Sequence, residues 1–204
     1  MRCRIYIVFA IFFSIIVLQG CTTKTVRIDP IPELKTGGPL SGIGPLTFKI
    51  NEFEDVRPHK KIIGEAYPTH KIELEDQKVP DIVAQAIANE LKRNGHRVLQ
   101  TGASGRADVI IGGVVRGYWV AGRDYATISK VTGSVEIEIN VMTSRSKEKS
   151  FSKTYRGNYY SEPFFGINLL NMGPVFTDVI NQALLDMIKE FTTDEEFLNK
   201  IRQS

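Results

Sequence analysis

Three histidines, two closely spaced glutamates and one glycine-flanked serine are the residues of this chain whose types could carry catalysis. His59, His70 and His96 lack metal-ligand spacing and no His-Glu-x-x-His occurs, so no metal site is expected. Gly102-Ala103-Ser104-Gly105 falls short of the Gly-x-Ser-x-Gly elbow and carries no phosphate-loop lysine, so it reads as a turn. Glu136 and Glu138, on one face of a strand, would stand about 6.5 to 7 Å apart, a separation that invites comparison with inverting glycosidases. On a solvated face beside Arg156, however, both stay ionised and neither serves as an acid at neutral pH. The sequence therefore offers binding groups more readily than catalytic ones. Tyr118, Trp119, Arg123, Asp124 and Tyr125 lie where two strands are expected to join, and aromatic and guanidinium groups of this kind hold sugars or peptides. Rings packed on the sheet are the competing reading. Phe164, Phe165, Ile167, Leu169, Leu170 and Met172 form a second candidate, either an exposed contact patch or a lid over the sheet end. Asp55 and Arg57 read as a turn and an ion pair.

One cysteine points to different chemistry. Arg2 and Arg4 precede an apolar run over residues 5–18, which ends in Leu18-Gln19-Gly20-Cys21. The run is shorter than the roughly 20 residues a spanning helix needs, and the order of basic start, apolar run and small residue is that of a secretory signal. It resembles a bacterial lipoprotein signal. That resemblance implies recognition by signal peptidase through Leu18 and Gly20, diacylglycerol on the thiol of Cys21, removal of residues 1–20 and acylation of the new amino group, with palmitate a usual chain. Thr22, which is not Asp, resembles the outer-membrane sorting class. Each buried methylene contributes about 0.8 kcal/mol, so two or three chains anchor firmly where one does not.

Loss of residues 1–20 removes Arg2, Arg4 and Cys3, and leaves 24 basic and 23 acidic side chains, interspersed. A nearly neutral mature surface without a basic face excludes tight nucleic-acid binding. With Cys21 consumed by lipid no disulfide remains, so the domain must hold by its core alone. Residues 21–45, with Pro30, Pro32, Pro39 and Pro45 among glycines, read as the lipidated cysteine and a flexible tether; a docked edge strand near 26–31 is the alternative.

A single domain is expected from 46 to 204. Alternation at Leu46, Phe48 and Ile50 predicts a strand. Residues 54–78 look irregular, apart from a short strand at 71–74. Pro80 then opens a helix with Val79, Ile82, Val83, Ala86, Ile87 and Leu91 on one face, stopped by Asn94-Gly95. A short strand at 97–100 and an inner strand at 109–115 follow. Over 131–141 the alternation is strict, and the return strand from Phe151 is expected to put Phe151 and Tyr155 on the apolar face, and Glu136 and Glu138 opposite Ser152, Thr154 and Arg156. Pro174 starts a second long helix, and Thr193-Asp194-Glu195-Glu196 reads as a capping box for a last short one. These elements describe an α+β, two-layer sandwich: a mostly antiparallel sheet, two long helices on one face and a short C-terminal helix.

This order, with Phe53-x-Asp55-x-Arg57, the helix ending at Asn94-Gly95, residues 118–139 and the terminal helix pair, resembles the YajG family of bacterial lipoproteins. The resemblance implies no enzyme, no cofactor and no assigned active residue; the 162–173 segment is more apolar here than the family pattern. The expectation is a lipid-anchored, non-catalytic binding or accessory module of the cell envelope, attached to the outer membrane and facing the periplasm, with a protein or glycan partner. A cell-wall hydrolase is the alternative, and it would need a concave pocket holding a carboxylate of raised pKa.

Overall fold

The computed structural model describes residues 23–29, 33–34, 38–66, 70–99, 105–125, 128–144, 151–165 and 173–203, with residues 124, 125, 128, 164 and 165 described by backbone only. In chain order the elements are β1 (Thr23–Val26), a 3₁₀ turn (Pro39–Gly42), β2 (Thr47–Asp55), β3 (Ile62–Ala66), β4 (His70–Leu74), α1 (Val79–Arg93), β5 (Arg97–Leu99), β6 (Val109–Tyr125), β7 (Ile128–Thr143), β8 (Phe151–Tyr160), β9 (Phe164–Phe165), α2 (Gly173–Thr192) and α3 (Glu195–Arg202).

The long strands β6, β7 and β8 form the frame, and their pattern explains why. Val131, Val135, Ile137, Ile139 and Val141 alternate with polar residues, and all five are buried on the face that the helices cover. β7 pairs antiparallel with β6 from Val109↔Thr143 to Tyr125↔Ile128, and with β8 in the expected register, Glu136↔Arg156 and Glu138↔Thr154. Phe151 and Tyr155 accordingly join the core. α2 packs Val179, Ile180, Ala183, Leu184, Met187, Ile188 and Phe191 onto these strands. Its approach depends on Gly157: a Cβ there would lie 1.9 Å from the Ala183 carbonyl oxygen and 2.5 Å from the Met187 nitrogen. α1 lies on the same side over β2 and β5. Gly95, at φ +88°, ends α1 in the left-handed conformation expected of it.

The sheet is open and mixed, with the antiparallel ladders the longest. β2 and β3 both run parallel to β6 along one of its edges, β2 beside 109–115 and β3 beside 120–122. Between them the chain leaves the sheet, and Arg57 fills the gap at 6 % exposure. Its guanidinium donates to both Asp55 carboxylate oxygens at 3.0 and 2.9 Å, to the Lys60 carbonyl at 2.8 Å, and to the Ile62 and Tyr118 carbonyls at 3.4 Å. The expected ion pair is thus also what satisfies the broken ladder.

Several expectations are corrected here. The described part of residues 22–45 is docked: β1 pairs with β4, Ile28 and Leu40 are buried, and the Ile28 backbone exchanges hydrogen bonds with the Gln77 amide. Apolar side chains without period still found a sheet edge and a helix end to cover. The stretch expected to be irregular at 54–78 contains β3, a five-residue strand whose Gly64 and Ile63 carry no alternation signal. β6 continues unbroken through residues 118–125, so those residues belong to a strand, not to a link. Asp194, not Thr193, caps α3: its Oδ1 accepts from the N–H groups of Glu196 and Phe197, while the Thr193 hydroxyl donates to the Lys189 carbonyl at the end of α2.

Candidate functional site

The face of β6, β7 and β8 turned away from the helices carries polar groups in cross-strand rows. Arg156 Nη2 donates to Glu136 Oε1 at 3.1 Å, and Arg116 pairs with Glu138, which also accepts from the Ser152 hydroxyl. Neighbouring Glu136 raises the pKa of Arg156. The two carboxylates therefore lie as the alternation places them, each paired with its own guanidinium.

Further along the same face the character changes. Trp119 (37 % exposed) sits on β6 opposite Ser134, and Tyr160 (60 % exposed) sits on β8 opposite Thr132, which itself pairs with Ala121. Two strand spacings and one two-residue step put the aromatic side chains about 12 Å apart, over a floor of small residues. The Lys130 ammonium lies 5.0 Å from the Tyr160 ring centroid, and Lys130 pairs across the ladder with the exposed Arg123. Two accessible rings, one with a cation against it, can stack against a sugar ring or a planar group, and the cation can attract an anionic one.

The sequence candidates separate across the two faces. Trp119 and Arg123 are on the open face. Tyr118 is not: it points into the core at 1 % exposure, and burial pushes its hydroxyl pKa up, so it is no contact residue. Tyr125 and Phe165 are placed by backbone only, at the end of the β6–β7 hairpin and in β9, which pairs Phe164 with Ser129. Residues 166–172, and Leu18, Gly20 and Cys21, lie outside the described residues. Tyr160 and Lys130 escaped the sequence reading because the length and register of β8 decide that they join Trp119. Among the described residues no group of three His, Cys, Asp or Glu side chains is placed to hold a metal ion, and no helix is long and apolar enough to cross a membrane.

A family model described as uncharacterized lipoprotein matches residues 54–202, from the end of β2 through α3. The chain belongs to this family of uncharacterized lipoproteins. The lipoprotein's fold is similar to that of protein XCC0632 from Xanthomonas campestris, with 13 % identity over 90 % of this chain and 100 % of that one and a TM-score of 0.54. Weaker likenesses are to a PelC dodecamer from Paraburkholderia phytofirmans (13 % identity, 76 % and 93 % covered, TM-score 0.38) and a minor lipoprotein from Acinetobacter baumannii (10 % identity, 71 % and 91 % covered, TM-score 0.36). The first shows the fold alone, and the other two carry no functional weight. No curated protein matches the lipoprotein's sequence. Membership of a lipoprotein family associates the chain with the cell envelope and brings no catalytic assignment.

Proposed function

We propose that this chain is a lipid-anchored, non-catalytic accessory lipoprotein, YajG-like within its family, attached to the outer membrane through Cys21 and presenting its open sheet face to a glycan or protein partner in the periplasm. The observation that carries the binding reading is the pair Trp119 and Tyr160, exposed on one sheet face with small residues between them and the Lys130 ammonium beside Tyr160. Large rings held on rigid strands in water lose little on ordering when a partner covers them. The anchor rests on Leu18-Gln19-Gly20-Cys21 and on family membership.

Two experiments test this. Photo-crosslinking amino acids at positions 119 and 160 in living cells are expected to capture one shared species, and a position on the covered face to capture none. Empty crosslinks at both positions, combined with purified protein that releases fragments from peptidoglycan, would replace the accessory reading by a hydrolase. In fractionated cells Cys21→Ser is expected to move the protein out of the membrane pellet, since the signal's apolar run is too short to span; retention there would sink the anchor.

A further inference from the structure

Among the described residues, strand β2 leaves one edge unpaired over 52–55. On one side it pairs with β6 as far as Asp55, and on the other with β5 only from Thr47 to Lys49. Along residues 52–55 no strand among the described residues pairs with that second side. A groove of about 1050 Å³ opens there, and its lining includes four successive residues, Glu52, Phe53, Glu54 and Asp55. Successive side chains of a strand point to opposite faces, so a groove lined by all four runs along the edge and not over a face. Its size is at the upper end of ligand-holding clefts.

The backbone confirms the direction. The Val56 N–H donates to the Val115 carbonyl at 3.2 Å, so alternation turns Glu54 toward β6 and turns the polar groups of Phe53 and Asp55 toward the groove. The Asp55 carbonyl accepts from the Lys60 ammonium, and Lys60 lines the same groove. A lysine side chain thus stands where the N–H of a neighbouring strand would. Above the groove, β4 ends beside β3, with the Leu74 N–H on the Lys61 carbonyl. Below it lies β5. The groove is the vacancy between these two strand ends in one column of the sheet.

Charge selects the occupant. Glu52, Glu54, Glu73, Glu75 and Asp76 line the groove and make no ion pair among the described residues, while Lys60 is engaged by Asp55, leaving Lys61 and Lys78 as the opposing cations. We infer that the free edge of β2 is a docking site for an extended segment of another protein, added as a strand beside residues 52–55 and carrying Lys or Arg at alternate positions. Phe53 is buried at 2 % exposure, so Glu52 and Glu54 share the open face, and cations at every second position of the added strand would lie along them. The site is separate from the Trp119 and Tyr160 face and does not depend on it.

The test uses the full chain in detergent micelles and fluorescent peptides of about six residues, enough for one strand: alternating Lys-Val, alternating Glu-Val, and Lys-Val methylated on the pairing amides. The Lys-Val peptide is expected to bind roughly tenfold or more tighter than either other peptide. The exchange of the Phe53 and Asp55 amide hydrogens is expected to slow in its presence. Glu54→Lys should lose that affinity, while the equal charge change Glu162→Lys, at an exposed position away from the groove, keeps it. Binding indifferent to amide methylation, or equal for the Glu-Val peptide, overturns the proposal. So does self-association of the chain that Glu54→Lys abolishes, because a second copy would then be the occupant.

Discussion

Arg57 is the side chain on which most depends for its size. It holds a carboxylate, which Lys60 also approaches, and three carbonyls inside the fold, where loss of the guanidinium leaves them short of a donor. Burial pushes the Asp55 pKa up, but the forked contact with Arg57 outweighs it and the net shift is downward. Arg57→Ala is expected to cost about 3 to 5 kcal/mol in urea unfolding, the range for breaking one side of a buried pair. Arg57→Lys should recover only part of this, because an ammonium cannot reproduce the fork. Two other buried groups set the pH response. His96, 5 % exposed, accepts the Leu46 N–H at Nδ1, and burial holds its pKa below 6.5. The unfolded chain therefore binds the proton first, so this contribution is present above 6.5 and is lost as pH falls through the folded value. Glu90, 2 % exposed, is pushed above 4.5 by burial against the Asn94 amide that lowers it; its contribution is full below 4.5 and is lost as pH rises through the folded value. Denaturant midpoints taken between about pH 4 and 8 should show His96→Gln removing acid sensitivity and Glu90→Gln gaining on the native chain as pH rises. The sequence marked Asp55 with Arg57 as a pair, but the three carbonyls that Arg57 serves come from residues up to 61 positions away, which no local pattern encodes.

At the scale of elements, α2 and β8 protect each other. β8 is a sheet edge, yet its Arg156 and Asn158 N–H groups donate to Glu190 at 2.9 Å and Asp186 at 3.1 Å from α2. Helix carboxylates take the place of a further strand and leave less edge for unwanted pairing. Among the described residues β2 has no such cover along 52–55, and the difference between these two edges is the reason one is assigned a docking role. Gly157 lets α2 approach β8, so Gly157→Ala is expected to lift the helix and cost on the order of 1 to 3 kcal/mol, read as a lower thermal midpoint; an unchanged midpoint would show that the helix has slack. Asp194 joins α3 to the same edge, capping the helix while accepting from the Tyr155 hydroxyl at 3.1 Å and from Lys153. Burial pushes its own pKa up, and Lys153 and the cap amides more than reverse that. The register of β7 with β8 was readable because one face is apolar and a slip would bury Arg156. The cap was misplaced by one residue because Thr193 and Asp194 both suit it, and the end of α2 claims the threonine.

For the whole molecule, the docked segment ahead of β2 turns a domain expected on a tether into one closed by its own N-terminal strand β1. Leu40 is fully buried, and Gly38 and Glu33 bind Asn94 and Arg93 at the end of α1. Leu40→Ala is therefore expected to destabilise the full chain by about 2 to 5 kcal/mol, whereas a free tether would leave the denaturation midpoint where it was. If Cys21 carries the proposed lipid, only Thr22 separates the anchor from β1, so the sheet would stand near the bilayer. Sequence alone determined the α+β class, the helix pair and the long hairpin, since each is written in a local period that one segment carries by itself. Only the tertiary structure decided that β2 and β3 share one edge of β6, that Tyr118 turns inward while Trp119 meets Tyr160, and that a groove runs beside residues 52–55. Those depend on which distant strands pair, and pairing is selected by the burial of all the apolar faces together.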